Sequence, residues 1–171
     1  IMRRLSGVVP GHVLRKIYLS LVYPYLTYCV EVWGGVSAAA LSRVYSLQNK
    51  CIKMLPCPPG RVQMYSYHDL FPMPTIYNYF ISVKFYKYFM ENKSEYFRKI
   101  VLDNQIDHGI QTRFKMNECL NIPFVSKVKC DSSFLKSSIS FWNKLPLAIR
   151  NSPSHTSFKK ALKSRLLSQK R

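Results

Sequence analysis

Residues 37–55 read SAAALSRVYSLQNKCIKML. At about 3.6 residues per turn, Leu41, Val44, Tyr45, Leu47, Cys51, Ile52 and Leu55 fall on one helix face. Arg43, Lys50 and Lys53 sit away from its centre. Ser37 has the side chain of an N-cap, because its hydroxyl can accept an orphan N–H of the first turn. Pro56, Pro58, Pro59 and Gly60 stop the helix. This stretch sets the expectation of a helical fold.

Upstream, Val13, Leu14, Ile17, Tyr18, Leu21 and Val22 recur at helical spacing after the Pro10-Gly11 break, with Arg15, Lys16 and Ser20 on the other side. Pro24 is expected to kink or end this helix, and Tyr25 to Trp33 to follow as a second, mostly buried piece before Gly34-Gly35. Downstream, a short helical turn at Tyr67 to Phe71 precedes Pro72 and Pro74. Over Thr75 to Met90, a stripe of Ile76, Tyr79, Phe80, Val83, Lys87 and Met90 predicts a helix, with a strand pair as the alternative. Glu95 to Leu102 is a further short helix.

Asp107 to Asp131 changes character and reads as a β/loop connector with a small hairpin. Ser132 or Ser133 caps a helix through Phe141-Trp142 that ends at Leu145-Pro146. Ser154 or Thr156 caps the last helix, roughly His155 to Ser168, with an apolar stripe of Phe158, Leu162, Leu166 and Leu167. The expected class is mainly α: a helical bundle over residues 1–106, then the connector and a basic helical part over 107–171.

The chain has 171 residues, 47% of them hydrophobic and 14% aromatic, which excludes a wholly disordered chain. Its 26 Lys and Arg against 8 acids give a net charge of +18. Such a charge repels itself unless a polyanion neutralises it, so nucleic acid is the first partner to consider and an anionic membrane surface the second. No acid follows Asp131. The longest uncharged apolar stretch, Ile17 to Val30, is interrupted by Pro24 and shorter than the roughly 20 residues that span a bilayer. No signal-peptide pattern follows Arg3-Arg4, and Ile1 at the start is what a processed or truncated product would carry. Cys29, Cys51, Cys57, Cys119 and Cys130 lack metal-ligand spacing and read as thiols of a reducing, intracellular compartment, nucleus or cytoplasm.

A two-metal polymerase or nuclease site needs clustered carboxylates. The close acid pairs, Glu91 with Glu95 and Asp103 with Asp107, read as surface charges at helical spacing. His12, His68, His108 and His155 are scattered, and no phosphate-binding glycine loop is present. On this reading the chain alone is not an enzyme and carries no catalytic or metal-ligating residues. Arg15, Lys16, Arg43, Lys50, Lys53, Lys84 and Lys87 instead recur beside aromatic stripes, a surface suited to tracking phosphates while Tyr rings stack on sugars or bases. The plainer alternative is that these cations solubilise an aromatic core.

The pattern Tyr18-x-x-Leu21-Val22-x-Pro24-x-Leu26-x-Tyr28, then Val32-Trp33-Gly34, resembles the segment after the polymerase palm in non-LTR retrotransposon reverse transcriptases of the jockey and CR1-like branches. Leu47-Gln48-Asn49-Lys50 is similar to their LQNK/R helix. Thr112-Arg113, Phe141-Trp142-Asn143-Lys144-Leu145-Pro146-x-x-Ile149-Arg150 and Ser157-Phe158-Lys159-Lys160-x-Leu162 resemble later landmarks in the same order. The resemblance spans about Val13 to Leu167.

It implies a thumb and C-terminal region that grips a template–primer hybrid of RNA and DNA, partnered in cis by palm and fingers. The parent would be an RNA-directed DNA polymerase using Mg2+ at the palm, which is absent from this sequence. Lys50 and Lys53 are then the expected duplex-facing cations, and Lys159, Lys160 and Lys163 join the nucleic-acid-binding set. Pro24, Trp33 and Gln48 are landmarks of the motif. Trp142, Leu145 and Pro146 form a structural plug, with the Asn143 side chain capping its turn. A stand-alone helical module that binds nucleic acid or protein is the alternative, and peripheral membrane association through the last helix is a third reading.

Overall fold

Pro24 has no N–H to offer the carbonyl of Ser20, and its ring crowds that carbonyl. The chain accommodates it by widening one turn. In the computed structural model, which describes residues 2–57, 64–103, 118–122 and 134–168, α1 (Met2–Leu5) is followed by α2 (Gly11–Ile17) and a π-helical turn over Tyr18–Val22. The N–H of Tyr23 donates to the carbonyl of Tyr18, five residues back. α3 (Tyr23–Thr27) then starts with Pro24 in its first turn, where a missing donor costs nothing. Cys29 takes a left-handed conformation, φ 48°, before α4 (Val30–Trp33).

The long helix read from residues 37–55 is α5 (Ala38–Lys53), and Ser37 Oγ accepts the N–H of Ala40. α6 (Met64–Tyr67) lies three residues before the expected turn, because Asp69 is left-handed, φ 56°, and breaks the run there. α7 (Met73–Phe89), α8 (Glu95–Asp103), α9 (Phe134–Asn143), α10 (Leu147–Arg150) and α11 (His155–Ser168) complete the order. The chain is mainly helical. Among the described residues the β-type pairing is one isolated bridge between Ser6 and Val9. The connector with its hairpin, apart from 118–122, and the Ser132/Ser133 cap lie outside the described residues.

The chain forms two compact units, Ile1–Tyr77 and Asn78–Arg171. The boundary expected at 106/107 lies outside the described residues. In the first unit Met2, Leu14, Tyr18, Ile52, Leu55 and Leu70 form the core. The Tyr25 to Trp33 piece is not the buried element its composition suggests. Leu26 and Val30 are buried, whereas Tyr25, Tyr28 and Val32 point to solvent. Gly11 packs directly against Pro56, leaving no room for a Cβ.

α5 also turns differently from its apolar pattern. Leu47 and Tyr45 are exposed, and Gln48 is buried at 1% exposure. Gln48 Nε2 donates to the carbonyl of Phe71 at 2.8 Å and to the Tyr18 hydroxyl at 3.2 Å, while Oε1 accepts the N–H of Met73 at 2.8 Å. One amide thus joins the π turn, α5 and the start of α7. Burial pushes the Tyr18 phenol up to about 12, against the opposing effect of the Gln48 hydrogen bond.

In the second unit, Phe85 and Tyr86 of α7 meet Trp142 of α9 and Phe158 of α11. The Phe85–Trp142 ring centroids lie 5.1 Å apart and those of Tyr86–Phe158 4.5 Å. The Tyr86 hydroxyl donates to the carbonyl of Ser152 at 2.7 Å. Buried α7 side chains are Met73, Ile76, Tyr77, Ile81, Ser82, Phe85 and Tyr86, while Lys87 and Met90 of the expected stripe are exposed. Ser154, the nearer of the two candidates, accepts the N–H of Ser157 at the start of α11. Phe158, Leu162 and Leu166 are buried as expected, with Leu167 half-buried.

Gln48→Leu should cost about 2–4 kcal/mol, since it strands buried backbone groups at 71 and 73; the urea midpoint measures it. The native state holds the Tyr18 proton that an unfolded phenol gives up above 10.0, so stability should fall as pH rises from there towards about 12. Tyr18→Phe should lose less stability than wild type across that window in alkaline denaturation, the shared contribution of other buried tyrosines cancelling in the comparison.

Candidate nucleic-acid interface

With Gln48 and Ile52 facing inward, the helical step of about 100° per residue turns Arg43, Ser46, Lys50 and Lys53 outward in one stripe. All four are exposed, and α5 contains no Asp or Glu. Lys50 and Lys53 also occupy the last turn, where cations complement the helix dipole. Lys16 is exposed on α2. Arg15 is not a free phosphate ligand: its guanidinium donates to the carbonyl of His68 at 3.0 Å. Burial, with Arg15 as a lesser cause, holds the His68 imidazole below its ordinary value, and a hydrogen bond with the Pro56 backbone acts the other way.

The remaining cations belong to the second unit. Lys87 on α7 and Lys160 on α11 are exposed, whereas Lys84, Lys159 and Lys163 are half-buried. Lys84 and Lys163 have interactions within the chain. The structure therefore gathers Arg43, Lys50 and Lys53 as fully exposed cations on one helix, whereas the candidates on α2, α7 and α11 are each a mixture of exposed and half-buried side chains.

The motif residues are structural in different ways. Trp142 and Leu145 are each buried at 3% exposure, and Pro146 precedes α10 as its N-cap residue. Asn143 does not cap its own turn. Its Oδ1 accepts the N–H of Leu120 at 2.9 Å and its Nδ2 donates to the Leu120 carbonyl at 2.8 Å. A two-way amide pair of this kind mimics a rung of sheet pairing and fixes a segment 23 residues away. Arg150, buried at 4% exposure, donates to the carbonyl of Glu118 at 2.8 Å. Together they clamp residues 118–122. Trp33 Nε1 donates to the carbonyl of Tyr28 at 2.7 Å and steadies the bend between α3 and α4.

Sequence reasoning missed the Asn143–Leu120 clamp and the exposed rings of Tyr25 and Tyr28. The first has no local signal, because its partner is distant in sequence. The second had one in the run Tyr23, Tyr25, Tyr28, whose hydroxyls tolerate solvent. No protein family matches the chain, and neither a curated protein nor a solved structure shows significant similarity to it.

Asn143→Ala should release the 118–122 segment while the aromatic core of the second unit stays formed. Hydrogen exchange at the Leu120 amide should accelerate by one to two orders of magnitude, matching the loss of about 1–3 kcal/mol for two half-buried hydrogen bonds. Protection in α9 and α11 should change little.

Proposed function

We propose that this chain is the thumb and C-terminal region of a non-LTR retrotransposon reverse transcriptase, gripping template–primer nucleic acid through basic helices. The observation that carries the reading is the outward stripe of Arg43, Lys50 and Lys53 on an acid-free helix whose rotation Gln48 fixes. Such a stripe meets phosphates without reading bases, which suits a duplex that is held and then advanced. The net charge of +18 supports a polyanionic partner. The ordered landmarks from Tyr18 to Leu162 support the family. Polymerisation would require the palm of the parent enzyme, with its Mg2+ ions. Among the described residues, no helix is long and apolar enough to cross a membrane.

The test is a salt titration of binding to an RNA–DNA hybrid, duplex DNA and single-stranded RNA. The hybrid should be preferred, with a log–log slope implying on the order of five or more phosphates. Lys50→Glu with Lys53→Glu should weaken hybrid binding and reduce the slope by about 2, the share of two phosphate contacts. Weak, equal binding to all three nucleic acids would overturn the thumb reading and leave the stand-alone module.

A further inference from the structure

The helical run from α2 to α4 has a second face that the first unit does not use. Leu14, Tyr18, Leu26 and Val30 point inward, and Lys16, Ser20, Leu21, Tyr25, Tyr28 and Val32 point to solvent. Tyr25 is 83% exposed and Tyr28 76%. Rings this bare bury almost no apolar area in the fold, so the core does not explain them. Their backbone, however, is held. Thr27 Oγ1 donates to the carbonyls of Tyr23 and Pro24, and Trp33 Nε1 donates to the carbonyl of Tyr28. The result is a pair of projecting aromatic side chains on a fixed support.

Charge selects between occupants of this face. The run from α2 to α4 carries Arg15 and Lys16, with Arg3 and Arg4 before it, against a single acid, Glu31. A second copy of the chain would bring the same positive surface to the contact, and self-association is opposed by +18 on each partner. A polyanion is attracted instead. Among polyanions, a duplex hides its base faces inside the stack, whereas a single strand presents them to aromatic rings. The two tyrosines are three residues apart, roughly 4.5 Å along a helix axis. At that spacing the two rings can offer their faces to bases of one strand, one base to a ring. Lys16 lies nine residues before Tyr25, roughly 13 Å away along the same run, within reach of a phosphate of the same strand.

We propose that Tyr25 and Tyr28 form a stacking platform for single-stranded nucleic acid, with Lys16 holding its backbone. The proposal rests on the nucleic-acid reading above and adds an unpaired strand to the duplex that α5 meets. It assigns these rings no base specificity, since every base has a π-face.

The experiment uses the full chain and fluorescence anisotropy with two labelled probes, a blunt RNA–DNA hybrid and the same hybrid bearing a single-stranded extension. Wild type should bind the extended probe about tenfold more tightly. Tyr25→Ala with Tyr28→Ala should abolish that gain and leave blunt-hybrid affinity and its salt slope unchanged. Because both side chains are exposed, the fold should survive, and circular dichroism checks it. Tyr25→Leu with Tyr28→Leu keeps apolar surface and removes the rings. Loss of the gain in this variant also supports stacking, whereas its retention overturns stacking and marks an apolar protein-docking face. Absence of any gain in wild type that still binds the blunt hybrid overturns the platform alone. Failure to bind either probe overturns the nucleic-acid reading itself.

Discussion

The primary amide of Gln48 is the constraint on which the first unit depends. A buried amide is costly unless its donors and acceptor are matched, because each unsatisfied group forfeits its hydration. Here both N–H groups and the carbonyl find partners, one on the π turn and two where the chain enters α7. A hydrophobic side chain could fill the same volume from several helix rotations, but three directed bonds are compatible with very few. The rotation of α5 follows from that, and so does the placement of Arg43, Lys50 and Lys53 in solvent. The cationic face is thus fixed by a polar contact on the opposite side of the same helix.

The second unit solves a similar problem with Asn143. Trp142 anchors α9 in an aromatic cluster, and the next residue reaches in another direction to hold Leu120 through both backbone groups. Adjacent residues on a helix point about 100° apart, so one packs on α7 while its neighbour clamps a distant segment. Arg150 adds a second tie at Glu118. A sequence stretch that combines a buried ring, an amide and a buried guanidinium within nine positions is explained as a knot of long-range ties. No contact with a ligand is needed to account for it.

The sequence made the long helices legible and left their phases obscure. α5 and α11 were readable because a polar side opposes an apolar one and Ser37 and Ser154 mark their starts. α7 is apolar almost all round, so periodicity offers no way to choose which of its aromatics go inside. The Tyr25 to Trp33 stretch misled for a related reason: apolar composition measures what a segment could bury, and only Leu26 and Val30 have a core to enter. Gln48 counts as polar in any hydropathy pattern, yet it is more buried than Leu47 beside it. At the candidate interface the cations themselves were legible, but their duties were not. Arg15 serves a backbone carbonyl inside the fold, a role set by contacts between residues 53 positions apart.

How the chain divides its cations bears on the kind of grip it can exert. Arg15 and Arg150 spend guanidinium donors on backbone carbonyls, where a planar fork with several fixed N–H groups is well suited. The fully exposed cations of α5, α7 and α11 are lysines apart from Arg43: Lys50, Lys53, Lys87 and Lys160. An ammonium on a flexible stem is a point charge that follows a phosphate without fixing its geometry. Bidentate reading of guanine edges is the work of arginine, and α5 carries one, Arg43. On the proposed reading, a surface built this way would bind nucleic acid through counterion release, with affinity that depends strongly on salt and little on sequence. On that reading, discrimination between nucleic acids would come from shape and strandedness, through the face α5 turns to a duplex and the exposed rings of Tyr25 and Tyr28.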